Sequence, residues 1–372
     1  MVPLLRREWP LLMLLGLLGL SFTPLGHSML GAAGEGALAV TFLVLLLAIV
    51  VGAFRVVHHA DAIAHRVGEP LGTLVLTLSV IGIEVALVVA MMLQGAADPT
   101  AARDTMFAVV MLAMNLVLGL SLVSAGSRFG QAIHNMSGAS TFLGTLIVLG
   151  TLSLVLPRFT TSAPGGQPST LQSWFLVGAS VFCYGMFVSM QLGGRREWFQ
   201  ESGVATDQSG AVAGHHDVDT CRGGVKALTG FLLAYLVAII LLAEHLAHGL
   251  EGVIESTGLP HALGGVVIAG IILAPEGMAA IQSAKQNRPQ RVINLSVGSA
   301  LSTIGLTVPA VLAVAIYKHT PVELGLEPVE ILLLTLTFAV SVVTLCTGRT
   351  TFLHGVLHLA IFVAYLVLIF DD

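Results

Sequence analysis

Two carboxylates stand where a charge is hard to accommodate. Glu84 lies in the run Ser79-Val80-Ile81-Gly82-Ile83-Glu84-Val85-Ala86-Leu87, and Glu276 in Ile271-Ile272-Leu273-Ala274-Pro275-Glu276-Gly277, each deep inside an apolar stretch. A charge at the centre of a bilayer costs ~2.5–3.5 kcal/mol on insertion scales, so acids at that depth are expected to face a polar cavity and to bind something. Two acids sharing one pocket repel each other in a low dielectric, and protons bind when the pocket is empty. A cation stabilises both ionised forms and displaces those protons. Occupancy by cation or by proton is then mutually exclusive, and exchange follows if the chain reorients only when the carboxylates are neutralised. The structural alternative is a protonated acid hydrogen-bonded inside a helix bundle.

The surrounding residues suit ion binding. Pro275 lacks an N–H and clashes with the preceding turn, so a helix break is expected beside Glu276 and Gly277, and Gly82 loosens the chain two residues before Glu84. Unwound backbone at mid-membrane frees carbonyl oxygens for hard cations. Asn115 and Asn294 offer amide oxygens, and Ser79, Ser296 and Ser299 offer hydroxyls; each of these could instead bridge helices by hydrogen bonding. Glu244, His248, Glu251 and Glu255 fall on one helical stripe, either an acidic rim concentrating cations at an outer mouth or a solvated face. His58, His59, Asp61 and His65 are read as an inner loop, and His215, His216, Asp217 and Asp219 as a possible cation site in a longer polar segment.

The elements that must carry these residues are membrane helices. Of 372 residues only 10% are charged, against 55% hydrophobic, with a mean hydropathy of +0.92. A soluble domain carries about 25% charged residues. The apolar residues gather in runs long enough to cross a ~30 Å hydrocarbon core as helices. The expected spans are 10–26, 37–54, 70–94, 105–126, 140–156, 172–192, 226–247, 260–283, 292–316, 330–347 and 352–370. The first, ending Thr23-Pro24-Leu25-Gly26-His27, lacks a small-residue cleavage site and is read as a retained span. With the N-terminus in the cytoplasm and the C-terminus outside, only Arg103, Arg158 and Lys318 of the 16 Lys and Arg fall on the outer side, as positive-inside placement requires. The three cysteines, two within apolar runs, do not read as a disulfide framework. No basic run suggests nucleic-acid binding.

The expected fold is all-α: a first helix followed by two five-helix repeats of inverted topology, since an odd number of spans per half forces the second to enter from the opposite side. The segments are an N-terminal helix and loop (1–36), a first repeat (37–192), a cytoplasmic linker (193–224) and a second repeat (225–372). Two features recur in both halves. Gly72 precedes Glu84 by twelve residues, as Gly264 precedes Glu276, and the next span carries Asn-Leu-x-x-Gly at Asn115 to Gly119 and at Asn294 to Gly298.

These motifs resemble the two repeats of the Ca²⁺:cation antiporter superfamily, and more narrowly its bacterial ChaA-type Ca²⁺/H⁺ antiporters. The likeness lies in His59-Ala60-Asp61-Ala62, in Gly68 to Thr73 and Ser79 to Glu84, in Ala274 to Asn287, in Asn294 to Pro309, and in Gly348 to Tyr365. The resemblance implies a bacterial inner-membrane antiporter exporting Ca²⁺, or Na⁺ or K⁺, against H⁺, with Glu84 and Glu276 as the cation- and proton-binding carboxylates. The first repeat departs from plant and fungal relatives in placing Gly82-Ile83 before its Glu, which leaves the preferred ion open. The transported ions are substrates, and no resident cofactor is expected. A Na⁺-driven Ca²⁺ exchanger, a channel and an intramembrane hydrolase remain as alternatives, although Glu244-His245-Leu246-Ala247-His248 is not the His-Glu-x-x-His of a metallohydrolase.

Overall fold

The computed structural model describes residues 8–21, 23, 35–67, 79, 81–89, 92, 99–163, 165–201, 224–258, 260 and 262–371. Within them run α1 (Trp9–Ser21), α2 (Glu35–Val67), a helical stretch α3 over 81–89, and α4 (Ala101–Phe129). Then come α5 (Met136–Phe159), α6 (Thr170–Leu192), α7 (Val225–Thr257), α8 (Ala262–Lys285), α9 (Pro289–Lys318), α10 (Pro328–Leu345) and α11 (Phe352–Ile369). Among the described residues nine of these helices are long and apolar enough to cross a membrane. Many large apolar side chains lie outward, including Leu171, Phe182, Leu332 and Val363. On a membrane protein such a surface meets acyl chains instead of water. The expected α-helical, polytopic architecture is what the chain adopts.

The chain divides into two compact units, each drawing on sequence from before and after the 193–224 segment. The first contains α1, α2, α3 and α7. Here α2 and α7 run antiparallel: Gly249 faces Phe42, Gly52 faces Ile239, and His59 stacks on Phe231. A Cβ on Gly52 would lie 2.9 Å from Leu14 and 3.2 Å from Ile239, so this glycine lets α1 and α7 close on α2 together. At 33 residues, α2 and α7 are each about 50 Å long at 1.5 Å per residue, longer than the hydrocarbon core.

The length of α2 corrects one expectation. His58, His59, Asp61 and His65 belong to the helix and not to a loop. No glycine or proline occurs between Ala53 and Val67, so nothing ends the helix before Gly68 and Pro70.

The second unit holds α4 to α6 and α8 to α11, with α4 the most enclosed of its spans. A two-stranded antiparallel ribbon, β1 (Gln131–Ile133) and β2 (Arg349–Thr351), ties the end of α4 to the start of α11. Among the described residues three spans contain a π-turn: Leu112–Val117 in α4, Thr151–Val155 in α5 and Thr303–Thr307 in α9. Two have a local cause. Pro157 and Pro309 follow within two residues, and each withholds the N–H that the carbonyl four residues earlier would take, so the preceding turn widens. No proline accompanies the turn in α4.

Candidate functional site

In the second unit, Glu276 sits well along α8 and is only part-buried, and its Oε2 accepts a hydrogen bond from the Ser299 hydroxyl of α9. Two residues expected to share a site are thus brought together from neighbouring spans. Ser296, one turn earlier on α9, is buried with an unpartnered hydroxyl. Asn294 is engaged elsewhere: its Nδ2 donates to the Phe199 carbonyl at 2.7 Å, and its Oδ1 accepts from Gln290 at 3.0 Å. Gln290 in turn accepts from the Asn135 backbone N–H at 2.9 Å, and Glu201 accepts from the Gln290 backbone N–H at 3.2 Å. Asn294 therefore belongs to a clamp at one end of the unit. Burial pushes the Glu201 carboxyl above its ordinary range, opposed by the Gln290 and Arg291 backbone N–H groups.

The helix break expected at Pro275 does not occur. Helix α8 runs unbroken from Ala262 through Pro275, Glu276 and Gly277 to Lys285. The missing Pro275 N–H removes one bond, to the Ile271 carbonyl, while close packing on α4 supports both sides of that gap. A Cβ on Gly265 would lie 2.9 Å from the Asp104 backbone, and one on Gly277 would lie 3.1 Å from Val117. Gly277 is thus a packing seat for the π-turn of α4 and not a loosening element. Gly82 likewise lies within continuous helix, over 81–89.

Asn115, in that π-turn, is fully buried. Its Nδ2 donates to Thr337 Oγ1 at 2.9 Å, and its Oδ1 lies 3.1 Å from His358 Nδ1. The other ring nitrogen of His358 lies 3.2 Å from Thr344 Oγ1. His358 reaches Asn115 because α4 and α11 nearly touch: a Cβ on Gly355 would sit 2.6 Å from the Val123 nitrogen. Sequence reasoning missed His358, although an ionisable residue within a span is itself a signal.

In the first unit, Glu84 and Ser79 are buried, at 2% and 4% exposure. On α7, His248 is exposed, whereas the side chains of Glu244, Glu251 and Glu255 lie outside the described residues, as do His215, His216, Asp217 and Asp219. The same unit holds a polar cluster that the sequence did not announce. Glu8, ahead of α1, accepts hydrogen bonds from Arg55 and from the Tyr235 hydroxyl (2.8 Å), and lies 3.3 Å from His59 Nε2. Burial pushes its carboxyl up, but the bonds from His59, Arg55 and Tyr235 outweigh burial and hold it at about 2.

At the end of the second unit that the charge count assigns to the outside, Arg103 pairs with Asp104 (2.8 Å) and Glu323 (3.2 Å), and Arg158 with Glu327 (2.6 Å). Two of the three basic residues that the charge count leaves on that side are thereby offset by acids. Burial pushes Glu323 up, with Arg103 opposing. Cys183 and Cys346 are free thiols. Among the described residues no three His, Cys, Asp or Glu side chains gather as a metal site.

The sequence matches the model of the sodium/calcium exchanger protein family over residues 37–193 and 227–370. It is 42% identical over 316 residues to the protein y4hA of Sinorhizobium fredii, covering 85% of this chain and 84% of that one. It is 34% identical over 328 residues to the sodium-potassium/proton antiporter ChaA of Escherichia coli, covering 88% of each. The solved Ca²⁺/H⁺ antiporter protein YfkE superposes with a TM-score of 0.70 at 17% identity, covering 97% of this chain and 99% of that one.

Proposed function

The chain belongs to the sodium/calcium exchanger protein family, and from that premise we propose that it is a secondary antiporter of the membrane, moving a cation one way and protons the other. The observation that carries the reading is Glu276, a carboxylate inside a membrane-spanning helix, bonded to a hydroxyl from the next span. A proton or a cation can neutralise that group, and a hydroxyl can turn its hydrogen toward the carboxylate or its oxygen toward a metal. Glu84, buried in the other unit, is the second carboxylate of the proposed cycle, as its counterpart position in the internal repeat suggests. The bound ions are substrates. Both proton-coupled monovalent ions and Ca²⁺ are cargoes to test, since one relative is named for Na⁺ and K⁺ and the solved neighbour for Ca²⁺.

Bacterial inner-membrane placement is supported by the bacterial relatives, and an N-terminus inside with the C-terminus outside by the distribution of Lys and Arg. The test is proton efflux from everted vesicles, followed by fluorescence dequenching as CaCl₂, NaCl or KCl is added at several pH values. At least one salt should release protons, and Glu84→Gln and Glu276→Gln should each abolish that release while the protein still inserts. Normal exchange in either mutant removes that carboxylate from the cycle. Cation flux that persists without proton movement indicates a channel, and Ca²⁺ flux that follows a Na⁺ gradient at fixed pH indicates sodium coupling.

A further inference from the structure

Among the described residues the π-turn of α4 is the one such turn with no proline behind it, and it contains Asn115. The fully buried amide is held on both sides. Thr337 of α10 takes its N–H, while His358 of α11 faces its oxygen. An amide oxygen only accepts, so the hydrogen of His358 must be on Nδ1, and Nε2 is left to accept from the Thr344 hydroxyl. The chain Thr344, His358, Asn115, Thr337 is thus satisfied with a neutral imidazole of one tautomer, and Met111 Sδ lies against both the Asn115 N–H (3.6 Å) and the Thr337 hydroxyl (3.7 Å) as a weaker acceptor. His354, one turn away on α11, is the nearby titratable group, and it faces Thr351.

The other side of the same turn bears on Glu276. Gly277, the residue after Glu276, rests against Val117, and Gly270 against Leu112, the two ends of the π-turn. A π-turn places one more residue in the helix than an α-turn, which rotates the side chains before and after it relative to each other. Its position along α4 therefore sets how the ridge meeting α8 is aligned beneath Glu276. We propose that His358 is a positioning residue for transport: by fixing Asn115 it fixes the π-turn of α4, and through Val117 and Gly277 it sets the placement of Glu276. Asn115 acts here as the fulcrum of this arrangement and not as an ion ligand. The inference rests on the reading of Glu276 as the ion- and proton-binding group.

The test measures cation-driven proton release in everted vesicles, as half-saturating concentration and maximal rate separately, using whichever of CaCl₂, NaCl or KCl the wild type exchanges. His358→Leu should raise the half-saturating concentration about threefold or more, a typical span for coupling through packed side chains. His358→Asn, which keeps an N–H donor near the position of Nδ1, should return it to within about twofold of wild type. Thr337→Val removes the acceptor of the Asn115 N–H, along with a weak hydroxyl contact to Met111 Sδ, and should shift the same parameter in the same direction even if His358→Leu fails to insert. An unchanged half-saturating concentration in both His358→Leu and Thr337→Val overturns the proposal. So does a His358→Asn variant as impaired as His358→Leu, or a loss that tracks only the amount of inserted protein. Glu276→Gln is run in parallel: full exchange in that variant overturns the Glu276 reading itself, whereas a dead Glu276→Gln beside an unaltered His358→Leu overturns the positioning role alone.

Discussion

Replacing Glu8 by Gln should destabilise the first unit by an amount that the geometry allows to be worked out. The carboxylate is held by the Arg55 guanidinium, the Tyr235 hydroxyl at 2.8 Å and the His59 ring at 3.3 Å. Removing one partner of a buried ion pair costs ~3–5 kcal/mol because the other charge is left uncompensated. The Glu8 side chain is 6% exposed but that of Arg55 is 24% exposed, so water partly screens the orphaned guanidinium and the low end, ~3 kcal/mol, applies. Tyr235→Phe removes one bond and leaves the carboxylate its other two partners, for ~1 kcal/mol. In a chain of this size these correspond to falls in Tm of about 4 °C and about 1 °C.

The assay is thermal unfolding of the purified protein in detergent, followed by tryptophan fluorescence, across pH. The folded carboxyl titrates at about 2, below its ordinary value of 4.5. The stabilisation is therefore fully present above pH 4.5, is lost as the pH falls through 2, and should narrow the gap between wild type and Glu8→Gln over that interval. An Glu8→Gln protein that melts with wild type at pH 7, or a Tyr235→Phe change as large as Glu8→Gln, would refute this account of what joins α1 to α2 and α7.

Two further substitutions probe the second unit. Ser299→Ala removes the hydroxyl bonded to Glu276 and should raise the half-saturating cation concentration about tenfold, the effect of losing one hydrogen bond to a charged group; an unchanged value reduces the pair to packing. Asn294→Ala should lower stability by ~1–3 kcal/mol, since the Phe199 carbonyl and Gln290 lose a buried partner, and should leave the half-saturating concentration unaltered once inserted protein is normalised. A large affinity change with normal stability would restore Asn294 as an ion ligand.

How much was legible without coordinates follows from which interactions are local. Pro309 and Pro157 act within one turn, and an apolar run of twenty residues demands a helix across lipid whatever lies beside it. The polytopic α-helical class therefore follows from sequence, and so does the conspicuousness of Glu84 and Glu276, because a carboxylate in such a run is conspicuous by its own solvation penalty. Span ends were less secure. Helix α2 runs on to Val67 because polar residues such as His58 and His59 signal a membrane boundary but do not break a helix.

Side-chain partners depend on how the helices pack, and composition does not encode that. Asn115 and Asn294 occupy matched sequence motifs, yet one is locked by α10 and α11 in the unit interior and the other clamps a loop at its end. Pro275 was expected to interrupt α8, but a neighbouring helix seated on Gly265 and Gly277 supports it through the missing bond. The sequence by itself determined that this is a membrane helix protein with two acids in its interior, since transfer energies are properties of single residues and short runs. Only the tertiary structure decided that Ser299 meets Glu276, that His358 holds Asn115, and that Glu8 joins Arg55 and Tyr235. Each of those contacts spans more than twenty residues of chain, and its existence depends on the close approach of helices that glycines such as Gly52 and Gly355 permit.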